Sequence, residues 1–198
     1  MKHHINFRKE ASVDSVRKNT FEALLTIYIY HICQESIDLY QVRSLGNGLD
    51  RSLYAFYKRD LENKTFTKDE INSFFAYFIL QFSAMGNFWG QPFYLCETDF
   101  DEKTDISELT LAILYVYDSL DIYNPKIQIK IDYDTNPRII HRALEIIRSG
   151  HTSIIFCCIP GITRSLITAL VGFYPADSRS ASVINFLSCV CHFSSFLS

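Results

Sequence analysis

Residues 126–132 have the sequence KIQIKID, in which Ile127, Ile129 and Ile131 alternate with polar side chains. Successive side chains of a β-strand point to opposite faces, so this alternation predicts a strand with its isoleucines on one side. Two further short apolar runs predict strands on either side of it, GQPFYLCE at residues 90–97 and SIIFCC at residues 153–158.

Helical patterns precede the strands. Residues 19–35 are apolar nearly all round and contain Ala, Leu and Glu, which predicts a buried helix. Thr67 and Glu70 then form a capping-box pattern ahead of apolar residues spaced i, i+3, i+4, i+7, i+8 and i+11. This pattern predicts a helix over residues 68–85.

Three more helices are predicted between and after the strands. Asp105 and Glu108 favour a cap for a helix with one apolar face. Pro137 suits the first turn of the next helix, which we expect to end at Gly150. Residues 161–171 form a shorter helical stretch.

The alternation of strands with helices determines the expected fold class. Parallel strands need long crossover connections, which are right-handed and are usually helices. The sequence therefore predicts an α/β fold with alternating helices and mostly parallel strands. Three strands are too few to close an α/β barrel, so the predicted sheet is part of a larger one.

Composition limits the classes of function. The chain has 198 residues, of which 48% are hydrophobic and 21% charged, as expected for a folded protein. A net charge of -3 argues against nucleic acid as a partner. The six cysteines form no C-x-x-C pair and the N-terminus lacks a secretory signal, so we expect free thiols and a cytoplasmic location. His3 and His4 have no ligands at metal-site spacing, and no metal is expected.

Two stretches of the sequence have an unusual distribution of charge. The charged residues between Asp50 and Asp60 are interpreted as solvated side chains that pair along a surface segment. In contrast, residues 180–198 carry no charge at all. Serines, Asn185 and His192 interrupt this apolar stretch, so a sticky terminus is favoured over a membrane anchor.

Six segments, in this order, resemble the interior of glycyl radical enzymes of the pyruvate formate-lyase type. They are TFEALLTIYIYHICQE (20–35), GNGLDRSLYAFYKRDL (46–61), GNFWGQPFYL (86–95), DSLDIYNPKIQIKI (118–131), RALEIIRSGH (142–151) and PGI (160–162). The resemblance divides the chain into an N-terminal tail (1–18), a partial pyruvate formate-lyase-like domain (19–179) and an uncharged, out-of-pattern tail (180–198).

The resemblance implies a fold and a chemistry. Members of the family are several times longer and are built on a ten-stranded α/β barrel, so this chain would supply part of it. A glycyl radical, installed by a radical-SAM activating enzyme, generates a thiyl radical on a cysteine inside the barrel, which attacks a small-molecule substrate. The resemblance also implies an anaerobic enzyme without a metal of its own, which can form homodimers.

The sequence departs from the family where the catalytic centres are expected. Residues 172–179, GFYPADSR, resemble the lead-in to the cysteine loop, but Asn185 and Phe186 stand in place of the Gly-Cys pair. Cys189 and Cys191 follow a few positions late and are interpreted as structural or incidental. The last glycine is Gly172, so the radical glycine has no counterpart. No catalytic residue is therefore assigned, and a truncated or frameshifted gene product is expected.

A further departure concerns a turn. Cys96 and Glu97 stand at a strand end where relatives tend to have two glycines. Glycine allows a tight turn there, so Cys96 and Glu97 argue against the same turn in this chain.

The resemblance also suggests binding residues. The approach to the strand in GNFWGQPFYL faces the substrate cavity in this family, which assigns Phe88, Trp89 and Gln91 to a substrate pocket. The alternative is that these aromatic side chains belong to the core. A weaker pattern, Gly161, Thr163 and Arg164 at a helix start, could offer N–H groups to an anion.

Three functional hypotheses follow. The chain is part of a glycyl radical lyase acting on a small carboxylate or alcohol, and is inactive alone. Alternatively, it is a non-catalytic interaction protein whose apolar faces need a partner chain. The third hypothesis is a remnant without function.

Overall fold

The computed structural model describes residues 18–37, 48–84, 93–96, 105–151 and 153–158. Within these ranges helices and strands follow one another as α1 (Thr20–Ile37), α2 (Leu49–Glu62), α3 (Lys68–Ala84), β1 (Phe93–Leu95), α4 (Ser107–Leu120), β2 (Ile127–Ile131), α5 (Pro137–Arg148) and β3 (Ile154–Cys158). Every strand predicted from the sequence is present, and helices alternate with them after α3. The predicted α/β class is confirmed.

The three strands form a parallel sheet in the order β1-β2-β3. Tyr94 lies beside Gln128, and Gln128 beside Ile155. Each new strand is added on the same side of the previous one. Right-handed crossovers that advance in one direction place their helices on one face of the sheet, as in an α/β barrel.

The helix-covered face of the sheet is the centre of the core. Ile127 and Ile129 are fully buried there, as the alternation in KIQIKID predicts. The rings of Phe78 and Phe82 on α3 pack against Phe93 on β1, with centroids 5.6 and 5.1 Å apart. Helix α3 is therefore bound to the sheet by an aromatic cluster, whose ring pairs each add to the stability gained from burial.

Helix α1 is present, but the prediction that it is buried is wrong. It packs against α2 and α3 with only part of its surface. Phe21, Leu25, Ile29 and Ile32, here called the α1 stripe, are 42–50% exposed. A helix that is apolar all round needs neighbours on every side, and the described residues supply them on one side only.

The predicted cap at Thr67 is confirmed. The carboxylate of Glu70 accepts hydrogen bonds from the Thr67 backbone N–H at 2.8 Å and its hydroxyl at 2.9 Å, and the Glu70 N–H donates to Thr67 Oγ1. The pattern before α4 is satisfied differently. Asp105 Oδ1 accepts from the Ser107 N–H at 2.9 Å, whereas the Glu108 carboxylate pairs with Lys68 across to α3.

The predicted limits of α5 are also confirmed. Pro137 occupies its first turn, and the Asn136 side chain accepts a hydrogen bond from the Arg138 N–H at 3.0 Å. Beyond the helix, Gly150 has a φ of 116°, a conformation that glycine adopts without a steric penalty. The chain can therefore turn sharply into β3.

The helix predicted over residues 161–171 and the uncharged stretch 180–198 lie outside the described residues. None of the helices in the described ranges is long and apolar enough to cross a membrane.

Candidate functional site

The second face of the sheet, opposite the helices, carries a different set of side chains. Because side chains alternate along a strand, the residues between the buried ones point to this side. They are half-buried and are called the far face: Tyr94, Gln128, Lys130, Ile155 and Cys157. Parallel sheets with helices on both faces are made of nearly continuous apolar runs, so the polar residues distinguish this side from the helix-covered one.

The polar groups of the far face contact one another. The Lys130 Nζ lies 5.3 Å from the centroid of the Tyr94 ring, within the range of a cation–π interaction. Cys157, beside Lys130 in the strand register, donates from Sγ to Gln128 Oε1 at 3.6 Å. The far face thus holds a cation, an amide, a phenol and a thiol within a few residues of one another.

A buried carboxyl group lies at the carboxyl end of β1. Asp50, in the first turn of α2, is fully buried. Its carboxylate accepts hydrogen bonds from the Cys96 N–H at 2.9 Å, the Thr110 hydroxyl at 2.6 Å and the Arg51 N–H at 2.8 Å. Asp50 therefore ties the start of α2 to the end of β1 and to the first turn of α4.

Burial changes the acid–base properties of this cluster. Desolvation raises the pKa of Asp50, and the hydrogen bonds from Thr110 and Cys96 oppose this effect. Burial and the nearby charge of Asp50 raise the pKa of the Cys96 thiol. Since the thiolate is the reactive form of cysteine, Cys96 is not an activated nucleophile.

The backbone conformation of Cys96 shows how the turn forms without the glycine that relatives tend to have there. Cys96 has a φ of 62°, in the left-handed region that glycine adopts easily and other residues avoid. The turn is therefore formed with a cysteine in a glycine conformation. The hydrogen bond from the Cys96 N–H to Asp50 holds the backbone in that turn.

The interpretation of Asp50 and Asp60 as solvated charges is wrong. Asp50 is 0% and Asp60 1% exposed, and Asp60 accepts the Thr20 N–H at the start of α1 at 2.7 Å. Lys58, in contrast, is exposed and lies 3.9 Å from Glu62. The burial of these two residues could have been predicted from the sequence. Asp50 and Asp60 are ten positions apart, which places them on the same face of the helix as the buried Leu53.

A groove with a volume of about 360 Å³ lies between α4 and α5. Its principal cation, Arg142, lies 2.6 Å from Asp118 and 3.3 Å from Glu145, and its guanidinium stands 4.2 Å above the Tyr115 ring. These contacts neutralise the charge of Arg142. The groove is therefore explained by packing of the two helices.

The residues assigned to the substrate pocket, Phe88, Trp89 and Gln91, lie outside the described residues, just ahead of β1. Their role stays a prediction. The weaker anion pattern of residues 161–164, and Cys189 and Cys191, are likewise outside. Among the residues that the structure does describe, no group of three or more His, Cys, Asp or Glu side chains could hold a metal ion.

A family model described as pyruvate formate lyase-like matches residues 17–182. The chain belongs to this family. The resemblance carried by the six sequence segments is therefore confirmed. The limits of the family match do not test the proposed tails at residues 1–18 and 180–198.

A solved structure supports the fold of this pyruvate formate lyase-like chain. The crystal structure of a glycyl radical enzyme from Archaeoglobus fulgidus is similar, with a TM-score of 0.59 and 19% sequence identity. The similarity covers 78% of this chain but only 22% of that enzyme. No curated protein matches the sequence. The small parallel sheet and its helices thus correspond to a fragment of the α/β barrel of glycyl radical enzymes.

Proposed function

We propose that these 198 residues form part of the barrel wall of a glycyl radical lyase that acts on a small carboxylate or alcohol by thiyl-radical chemistry. The observation that carries the proposal is the sheet with helices on one face and a polar far face. The resemblance to glycyl radical enzymes implies a substrate cavity inside the barrel, on the side away from the helices, which here is the far face. Membership of the pyruvate formate lyase-like family supports this placement.

The 198-residue chain by itself is proposed to be inactive. A thiyl radical needs a cysteine on the barrel loop and a radical glycine, and the sequence has Asn185 and Phe186 in the expected place of the Gly-Cys pair. Cys96, with its raised thiol pKa, is buried against Asp50. The residues present therefore do not fit the radical centres, and no catalytic step is assigned to them.

Partners and location are part of the same proposal. Intact relatives require a radical-SAM activating enzyme, an anaerobic setting and a small-molecule substrate, and they can form homodimers. A cytoplasmic location agrees with the free thiols expected from the cysteine spacing. The sequence indicates no nucleic-acid partner, because the chain carries a net charge of -3.

The test of inactivity uses the purified chain without oxygen. We incubate it with a radical-SAM activating enzyme, S-adenosylmethionine and a reductant, and record electron paramagnetic resonance spectra and consumption of pyruvate and propane-1,2-diol. The expected result is no carbon-centred radical and no turnover, with an intact glycyl radical enzyme as the positive control. A radical on the chain, or turnover, would contradict the proposal.

A second test reads the DNA that follows the codon for Arg179 in the other two frames. A Gly-Cys loop and a radical-glycine motif there would support a frameshifted parent lyase. If all frames lack both motifs, the interaction hypothesis below gains support.

The second candidate function is that of a non-catalytic protein that needs a partner chain. The α1 stripe favours it, because four large apolar side chains at helical spacing are exposed on one helix. Light scattering after size-exclusion chromatography, with a dye that binds apolar surfaces, tests this function. Assembly or dye binding that Leu25→Glu with Ile29→Glu abolishes would support it, whereas a monomer without dye binding would exclude it.

A further inference from the structure

We propose that the α1 stripe is covered by a segment of the same chain, residues 183–197, which packs against it as an amphipathic helix. The family match ends at residue 182, so the segment is one that the family model does not cover. The inference does not rest on the proposed lyase function. It names an occupant of the stripe other than the partner chain of the second candidate function.

The stripe is a surface that needs a cover. Its four side chains are spaced i, i+4, i+8 and i+11, which places them on one side of α1. Each of them is 42–50% exposed, so water contacts nearly half of four large apolar side chains in a row. Contiguous apolar patches of this kind mark surfaces that contact another chain segment, a partner or a membrane.

Helix α3 widens this surface. The Phe21 ring packs on Phe74 of α3 with centroids 5.3 Å apart, and the Tyr28 hydroxyl donates to Gln81 Oε1 at 3.0 Å. Tyr77 lies on the same side of α3 as Phe74 and Gln81, and it is 69% exposed. Large side chains from both helices therefore border the seam between them, which a third helix can cover.

Residues 183–197 have the pattern of a helix that packs along another helix. Their apolar side chains recur in alternating steps of three and four positions, as the a and d residues of helices that pack side by side do. These are Val183, Phe186, Val190, Phe193 and Leu197. The opposite side of such a helix is polar and carries Asn185, Ser188, His192 and Ser195. The segment is therefore predicted to bury one side and expose the other.

The two apolar surfaces match in length. Phe186 and Leu197 are eleven positions apart, as are Phe21 and Ile32 at the two ends of the stripe. Because a helix rises 1.5 Å per residue, each surface is about 16 Å long. One helix can thus cover the whole stripe.

The two surfaces also match in charge. Between Glu22 and Glu35, α1 contains no Asp, Glu, Lys or Arg, and residues 180–198 contain none either. A charged segment laid on the stripe would lose hydration without gaining an ion pair, which is unfavourable. The stripe therefore favours an uncharged occupant, and residues 183–197 are one.

The connection to the segment is long enough. Residues 159–179 join the end of β3 to it, and an extended chain of that length spans about 70 Å. A folded unit of this size has a diameter of about 40 Å. The segment can therefore reach α1 from the end of β3.

Hydrogen exchange of the full 198-residue chain, followed by mass spectrometry, tests the contact. In the wild type we expect a monomer by light scattering, and amides of residues 183–197 that exchange about tenfold to a hundredfold more slowly than in an unstructured chain. Phe186→Glu with Phe193→Glu places two charges on the apolar side of the segment. It should abolish this protection and increase the binding of a dye that recognises apolar surfaces.

Asn185→Glu with His192→Glu is the matched control. It adds two charges to the polar side of the same segment, so the slow exchange of residues 183–197 should be kept and dye binding should not rise. Circular dichroism records whether each variant is folded. Equal loss of protection in the two pairs of variants, or fast exchange of residues 183–197 in the wild type, would overturn the inference.

A change on α1 tests the other side of the contact. Leu25→Glu with Ile29→Glu should make residues 183–197 exchange as fast as an unstructured chain, although their own sequence is unchanged. Tyr123→Glu with Tyr133→Glu is its control, because it adds two charges at exposed side chains outside the stripe and should leave the exchange unchanged. If the Phe186 and Phe193 variant fails to fold, the α1 variant decides: lost protection in that folded monomer supports the contact, and retained protection refutes it.

Two other occupants of the stripe give different results. A wild-type dimer that Leu25→Glu with Ile29→Glu dissociates, and that Phe186→Glu with Phe193→Glu leaves intact, would identify a second copy as the cover and refute the inference. Protection of residues 183–197 only after addition of phosphatidylcholine and phosphatidylglycerol vesicles would identify a membrane surface as their partner and refute it as well. The expected monomer without dye binding is also the result that excludes a required partner chain.

Discussion

The two faces of the sheet use the same strands for different purposes. On the covered face, Ile127, Ile129 and Ile131 are at most 2% exposed and belong to the core. On the far face, Gln128 and Lys130 alternate with them and are half-buried. One alternating strand can therefore stabilise the fold with one set of side chains and present polar groups with the other.

The strongest test of this comparison replaces neighbours on β2. Ile129→Ala is expected to lower the free energy of unfolding by about 4 kcal/mol, because it leaves a cavity in a fully buried site. Gln128→Ala, one residue away, is expected to cost much less. Urea denaturation followed by circular dichroism measures both, and similar losses at the two positions would contradict the division between faces.

Asp50 stands apart from this comparison, since it is a buried polar group on helix α2 at the carboxyl end of β1. Asp50→Ala is expected to cost about 3 kcal/mol, because the Cys96 N–H and the Thr110 hydroxyl lose their acceptor in a buried place. Asp50→Asn keeps one oxygen and should cost less. The same denaturation series measures both variants, and an equal stability of Asp50→Ala and wild type would refute the role of the carboxylate.

The Asp50 cluster also predicts a dependence on pH. Burial raises the pKa of Asp50 in the folded state, so the unfolded state loses this proton first as the pH rises. The contribution of Asp50 to stability is therefore greatest in acid and falls as the pH rises through the folded-state pKa. The stability difference between wild type and Asp50→Asn should be larger at about pH 4 than at about pH 7. A stability difference between wild type and Asp50→Asn that grows toward neutral pH would contradict this prediction.

Cys96 forms the turn directly after β1, and substitutions there should change the stability less than those at Ile129 and Asp50. Cys96→Gly is expected to be about 1 kcal/mol more stable than Cys96→Ala, because only glycine accepts the φ of 62° without strain. Ala55→Gly, on the exposed side of helix α2, is the control, and there glycine is expected to destabilise by a similar amount. Thermal unfolding compares Cys96→Gly with Cys96→Ala, and Ala55→Gly with wild type. If glycine is less stable than alanine at both positions, strain at Cys96 is refuted.

The smallest expected effect on stability comes from the far face. Lys130→Met should change the free energy of unfolding by about 0.5 kcal/mol, because the long apolar stem is kept and the loss is limited to polar contacts such as that of the ammonium with the Tyr94 ring. Urea denaturation measures this change, and the loss of stability in Ile129→Ala, measured in the same way, is the reference. A loss close to that of Ile129→Ala would mean that Lys130 is needed for folding and would blur the contrast between the two faces.

Local features were the most predictable from sequence. Thr67 and Glu70 are three residues apart, and their reciprocal hydrogen bonds form within one helical turn. The alternation of isoleucines identified β2, and Pro137 and Gly150 marked the limits of α5. Each depends on neighbours along the chain, so the residues themselves carry the information.

The errors concerned contacts between distant segments. Asp60 was interpreted as a surface charge, yet its acceptor role toward Thr20 joins residues 40 positions apart. Helix α1 was expected to be buried because it is apolar, and its stripe is exposed because burial depends on which elements surround it. The substrate assignment of Phe88, Trp89 and Gln91 is a prediction that these contacts do not address.

The order and type of the elements, and the family to which they belong, can be predicted from the amino-acid sequence, since periodicity, caps and turn residues act over a few positions. The partners that the buried charges meet, and the side of the sheet on which the polar side chains lie, depend on contacts between distant segments. Asp50 meets Cys96 and Thr110 across 46 and 60 residues. Such contacts form only when the crossovers bring the strand end and two helix starts together, and the local pattern around Asp50 does not encode them.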